Sequence, residues 1–185
     1  MNKLFIVGKG LSLKGFDLNQ LRDEYTICLN HSVFKVPNPS AVCFADKGFL
    51  KDNKDFIEGF EGDIFATQST GFRQSIKAPR ELSRLSGLFA LEVGLNLADE
   101  VYLLGYDLNT TEEYPYFADF SPVQNKETFD KKDGSFRAFY SEGWFNSQRI
   151  NSFEENFKDR KDRIFNCNKK SGIKIFKFVE FKEII

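Results

Sequence analysis

Most of the usual signatures of function are missing from this sequence. It holds 3 cysteines, 1 histidine, 1 methionine and 1 tryptophan in 185 residues. Cys28, Cys43 and Cys167 are an odd number without CxxC spacing, which excludes a disulfide framework and argues against a cysteine zinc site. They read as reduced, buried thiols of a cytoplasmic protein. There is no HExxH, no GxSxG elbow and no Walker motif. No apolar run reaches about 18 residues, so no segment is expected to cross a membrane. The opening MNKLFIVGKG has too short an apolar stretch for a signal peptide and no small-residue cleavage site. A formal net charge of −1 leaves no field to draw in nucleic acid or an anionic membrane.

What is present is ordinary material for one α/β domain spanning residues 1–185. A 41% hydrophobic and 29% charged composition is enough for a single core of two or three layers. The 22 phenylalanines, with many Lys and Asn, match AT-rich codons and need no functional reading first. Short apolar runs recur between polar segments: Leu4–Val7, Tyr25–Leu29, Ala41–Ala45, Ile64–Ala66, Val101–Leu104 and Ile164–Cys167. Continuous runs of this length fit parallel strands buried on both faces. Gly87 to Ala98 is apolar nearly all round, with Ser86 as N-cap, and predicts an interior helix. From Ser147 to about Lys161, Ile150, Phe153 and Phe157 form one amphipathic stripe. A shorter helix is expected over Asn19 to Asp23. Strands alternating with helices imply a mostly parallel sheet of Rossmann-like type, flanked by helices. The cations Lys158, Arg160, Lys161, Arg163, Lys169 and Lys170 read as a solvated helix end rather than a polyanion site.

One stretch breaks the rhythm. Residues 109–146 carry Tyr114, Tyr116, Phe117, Phe120, Phe136, Phe139, Tyr140 and Trp144 among charges and glycines, with no period. So long a segment without pattern is expected as a lid or small insertion beside a ligand site. Its aromatic surface would equally serve a homo-oligomer interface.

Polar residues fall repeatedly at strand ends. The first strand runs into Gly8-Lys9-Gly10-Leu11-Ser12-Leu13, where glycines let backbone amides approach a phosphate and Ser12 and Lys9 add a hydroxyl and a charge. Taken alone, this loop is as readily a tight strand-to-turn connection. The third glycine of a dinucleotide fingerprint is absent. Asn30 and His31 follow the second strand, Asp46 the third, and Gly105-Tyr106-Asp107 the fifth. In an open parallel sheet these share the carboxyl edge, where ligands bind. Asp107 and Asp46 are equally common as turn formers or caps. His31, as a lone histidine, is more often structural than catalytic.

Together these pieces resemble the bacterial sialyltransferases of glycosyltransferase family 42 and related Rossmann-like bacterial and phage proteins. The family's GNGPSL loop is similar to Gly8–Leu13, with Lys9 at its Asn and Leu11 at its Pro. Its nucleotide-contacting Asn matches Asn30, and its next strand-end Asn falls at Asp46. Its [TS]SG turn matches Leu85-Ser86-Gly87, and its SGxD matches Leu104-Gly105-Tyr106-Asp107. Ile164–Cys167 and Ser171 follow the family's order near the C-terminus. The resemblance covers most of the chain apart from roughly 50–85 and 109–146.

The resemblance implies a CMP-sugar donor, no metal, and a histidine base before the last helix, aided by a tyrosine pair. Trp144 stands where that histidine belongs, and a Trp cannot act as a base. Tyr114, Tyr116 and Tyr140 would supply phenolic donors. Three expectations result. One is a glycosyltransferase-like enzyme that uses Asp107, Asp46 or Glu142 as its base. Another is a nucleotide-binding module without catalysis, holding its ligand through Gly8, Lys9, Gly10, Ser12, Asn30, His31, Ser86, Gly87 and Gly105. The last, from a weaker likeness to pterin diphosphokinase-like proteins, is phosphoryl transfer with Mg²⁺ on Asp46 and Asp107.

Overall fold

The computed structural model of the chain describes residues 1–76, 82, 85–108 and 144–185. Within them one sheet holds seven strands, all parallel. These are β1 (Lys3–Val7), β2 (Thr26–Leu29), β3 (Ala41–Phe44), β4 (Asp63–Ala66), β5 (Glu100–Leu104), β6 (Ile164–Asn166) and β7 (Lys177–Phe178). The spatial order is β4-β3-β2-β1-β5-β6-β7. From β1 the chain steps outward to β4, returns across the sheet, and steps outward the other way from β5. The architecture is therefore doubly wound and Rossmann-like, with its topological switch between β1 and β5.

The continuous apolar runs are explained by this sheet, because each strand feeds two cores. Leu4 and Ile6 of β1, with Val101 and Leu103 of β5, face a core built on α3 (Ser86–Leu97) and α4 (Trp144–Phe157). Phe5 and Val7, with Tyr102 and Leu104, face a second core under the short helices α1 (Lys47–Asp52) and α2 (Lys54–Glu58). All four residues Leu4 to Val7 are fully buried. Period-two alternation is present in the structure but invisible in the hydropathy, since both faces are apolar.

α3 lies tightly on the sheet because Gly94 sits over β1. A Cβ there would come within 3.1 Å of Ile6 Cδ1 and 3.3 Å of Leu4 Cδ1. The helix begins at Ser86, so Leu85 takes the N-cap position and makes no side-chain cap bond. This corrects the expected Ser86 cap. The α4 stripe is as expected: Phe153 and Phe157 are buried and Ile150 packs against the same core. α4 ends at Phe157, and a 3₁₀ turn over Lys158–Arg163 completes the connection.

In the basic stretch Lys158, Lys161, Lys169 and Lys170 are exposed as expected, while the two arginines are engaged. Arg160 pairs with Glu92 of α3 at 2.6 Å. Arg163 donates to the carbonyls of Leu95, Ala98 and Asp99 at 2.7 to 2.9 Å, which satisfies the open C-terminal end of α3. The helix expected over Asn19 to Asp23 is a 3₁₀ turn, Leu18–Leu21, capped by Asp17 on the Asn19 amide at 3.0 Å. Of the aromatic stretch 109–146, residues 109–143 lie outside the described residues, and with them Tyr114, Tyr116, Tyr140 and Glu142; Trp144 opens α4.

A candidate site at the carboxyl edge of the sheet

Two groups of the expected residues meet at the strand ends, and they do different things. The first is a seam between β1 and β5. The Gly8 amide donates to the Leu104 carbonyl at 2.7 Å and the Gly10 amide to Gly105 at 2.9 Å. The glycines permit this closeness. A Cβ on Gly8 would stand 2.7 Å from the Gly105 carbonyl oxygen, and one on Gly10 2.5 Å from both Asp107 carboxylate oxygens. Gly105 itself has φ +69°, a conformation open to glycine at little cost.

Asp107 locks the seam. Its carboxylate accepts from the Ser12 amide at 2.7 Å, from the Ser12 hydroxyl, and from Asn168 Nδ2 at 2.8 Å. The Asp107 carbonyl accepts from the Gly172 amide at 2.6 Å. Ser171, beside it, donates through its hydroxyl to the Tyr106 carbonyl at 2.6 Å. Asp107 is buried, and its side chain knits the glycine loop to the segment after β6. The amides of Gly8, Gly10, Ser12 and Leu13 all donate inside the protein. A phosphate cradle made of those amides is therefore not what the loop offers in this conformation. Asn168 belongs to no motif, so sequence reasoning misses it. The signal that could have found it is position, since it follows β6 at the same edge as the others follow their strands.

The second group lies on the β2 and β3 side. Asn30 opens a 3₁₀ turn, Asn30–Phe34, directly after β2. The buried Ser32 hydroxyl donates to the Val7 carbonyl at 2.7 Å and fastens this turn to the end of β1, beside Gly8 and Lys9. Asn30 has φ +49°, in the left-handed region that Asn enters more readily than other non-glycine residues. Its Nδ2 reaches Ser86 Oγ at 3.5 Å, and the Ala45 amide donates to the same Ser86 oxygen at 3.0 Å. Ser86 thus ties α3 to the ends of β2 and β3. Gly87 packs closely under Tyr106, whose hydroxyl donates to the Gly87 carbonyl at 3.1 Å.

Two buried polar atoms are left over here. Asn30 Oδ1 and His31 Nδ1 have no hydrogen-bond partner among the described residues. Buried polar atoms are almost always paired, so two adjacent exceptions single this place out as a candidate site. The imidazole stacks edge-on against Phe49 at 5.1 Å and tilts over Phe34 at 6.0 Å. Burial, helped by the Lys9 charge, holds His31 below its ordinary value of 6.5, against the opposing pull of Asp46 and Asp52. Asp46 is exposed and caps α1, accepting from the Gly48 amide at 2.7 Å.

The thiols carry no chemistry at this edge. Burial pushes Cys28 and Cys167 up to about 12 and Cys43 well above its ordinary range, which leaves them as inert thiols. A cavity of about 790 Å³ opens elsewhere, between α1, α2 and β4, lined by Lys51, Ile57, Phe60, Phe72 and Arg73 among others. It is roomier than the cavity of about 460 Å³ beside Phe165, and it contains neither orphaned polar atom. The strand-end cleft is the stronger candidate on that ground. Among the described residues no cluster of His, Cys, Asp and Glu is arranged to hold a metal ion. No helix among them is long and apolar enough to cross a membrane. Comparison with family models, curated proteins and solved structures returns no match.

Proposed function

We propose that the chain binds a nucleotide or nucleotide-sugar in the cleft at the carboxyl ends of β1, β2 and β3, as a glycosyltransferase-like protein. Asn30 carries the reading. Its buried Oδ1, without a partner among the described residues, supports an acceptor kept for a donor that is not part of the protein. An exocyclic base amine or a ribose hydroxyl is such a donor. The position is the one the sequence resemblance assigns to nucleotide contact, and a CMP-type ligand is the member of the class it favours.

The engagement of Asp107 limits the chemistry open to a bound ligand. A carboxylate already accepting three hydrogen bonds has little left to offer an acceptor hydroxyl. This favours a second reading, a nucleotide-binding module without transfer activity, over catalysis through Asp107. Shared Mg²⁺ on Asp46 and Asp107 draws no support from the topology. Their strands, β3 and β5, are three inter-strand steps apart, about 14 Å at the usual spacing.

Asn30→Gly separates fold from binding. Glycine adopts a positive φ freely, which offsets its greater unfolded-chain entropy and the loss of the weak Ser86 contact, so the variant is expected to melt within a few degrees of the parent. The amide oxygen is lost, so affinity for the recognised nucleotide is expected to drop about tenfold. Thermal shift and calorimetry against CMP, UMP, GDP, ADP and CMP-sialic acid read both effects. Unchanged affinity in a stably folded Asn30→Gly protein would remove the main support for the site.

A further inference from the structure

The charge of a bound phosphate has to be met by something, and four amides of the glycine loop already donate within the protein. Across the β1–β2 gap the structure offers a different pair. The Asn30–Phe34 turn is pinned to Val7 by Ser32, which sets the imidazole close enough to Lys9 for the lysine charge to act on it. The ring's rotation is limited by Phe49 and Phe34, and its buried Nδ1 lacks a partner among the described residues. Phe49 comes from α1, whose capping residue Asp46 and C-terminal residue Asp52 are the two acids that act on the same ring.

We infer that His31 is the phosphate-contacting residue of the cleft and takes up a proton when a phosphorylated ligand binds. The inference rests on the nucleotide reading above. In the free protein, burial and Lys9 disfavour the protonated imidazole. A phosphate beside it offsets the Lys9 repulsion and adds to the pull of Asp46 and Asp52, so the protonated ring becomes the stable form. One proton passes from solvent to the imidazole; no covalent bond is made or broken. The protonated ring then donates an N–H to a phosphate oxygen as a charge-assisted hydrogen bond. The sign is fixed by linkage. Binding that raises the His31 pKa is strengthened as pH falls through the window between the bound and free values. Phosphorylated ligands therefore bind more tightly near pH 6 than near pH 8, and the bare nucleoside does not.

This chain contains a single histidine, so its imidazole gives one Hε1 resonance that needs no assignment by mutation. The experiment follows that resonance against pH in the full chain alone, with saturating cytidine, and with saturating CMP methyl ester, whose phosphate does not titrate near neutrality. The expected result is a midpoint below the ordinary histidine value in the free protein. It rises by at least about one unit with the ester and does not move with cytidine, matching an affinity gain of about threefold or more between pH 8 and 6. His31→Gln is expected to keep cytidine binding and lose the pH dependence for the ester. If the ester binds but the midpoint stays, or moves equally with cytidine, the phosphate lies elsewhere and the His31 assignment is overturned while nucleotide binding stands. If the ester perturbs no amide resonance in the protein, the CMP-type ligand fails, and this inference with it.

Discussion

Replacing Asp107 with alanine is expected to lower the melting temperature by about 9 °C. The carboxylate receives the Ser12 amide, the Ser12 hydroxyl and Asn168 Nδ2, and the residue is buried. Removing it strands these donors at the seam. Hydrogen bonds to a charged group are worth about 1.5–3 kcal/mol each, and solvent reaching the exposed Ser12 relieves part of the loss. A net cost of about 3 kcal/mol results, at about 3 °C per kcal/mol for a chain of this size. Asp107→Asn is expected to be nearly as damaging, because one of its amide hydrogens must face a donor. A catalytic base would behave in the opposite way. Its Asn variant would fold normally and lose turnover alone.

The second large effect is at Gly10. A Cβ placed there lies 2.5 Å from both oxygens of a carboxylate that three donors hold in place, so it cannot be accommodated by a simple rotation. Gly10→Ala is expected to cost about 3 kcal/mol by overpacking. The three atoms nearest that Cβ all belong to Asp107, which makes the claim separable. In an Asp107→Ala background the carboxylate is gone, and Gly10→Ala is expected to add less than about 1 kcal/mol. Denaturant melts of the two singles and the double would show a coupling of about 2 kcal/mol. Strictly additive losses would mean that Gly10 is required for some other reason, such as approach of a ligand.

These two residues also show how far the sequence could be read. The strands were legible because each is buried on both faces and so forms an uninterrupted apolar run, as in Leu4–Val7 and Val101–Leu104. The carboxyl edge was legible too, since polar residues follow β1, β2, β3 and β5 in turn. β7, only two residues long, lacks a run to detect, and α1 and α2 are short and largely polar. Which way each polar side chain turns depends on the sheet order. Because β1 and β5 are neighbours, Asp107 meets Ser12, 95 positions away, and the loop that reads as a phosphate cradle is spent on holding the two strand ends together. Ser86 has an ordinary cap signature, yet its hydroxyl is taken up by Ala45 and Asn30 from neighbouring strands. His31 reads as a structural histidine by frequency alone. Its unpartnered Nδ1 is a fact of three-dimensional packing.

Both Asn30 and His31 matter for function only if the ligand lies between them and the end of β1. Amide chemical-shift mapping of the isotope-labelled chain during titration with CMP locates it. The largest shifts are expected at Lys9, Asn30, His31, Ala45 and Ser86, with small changes at Lys51, Ile57 and Arg73 beside the roomier cavity. Shifts concentrated around that second group, or none at saturating CMP and none with UMP, ADP or GDP, would contradict a nucleotide site at the strand ends.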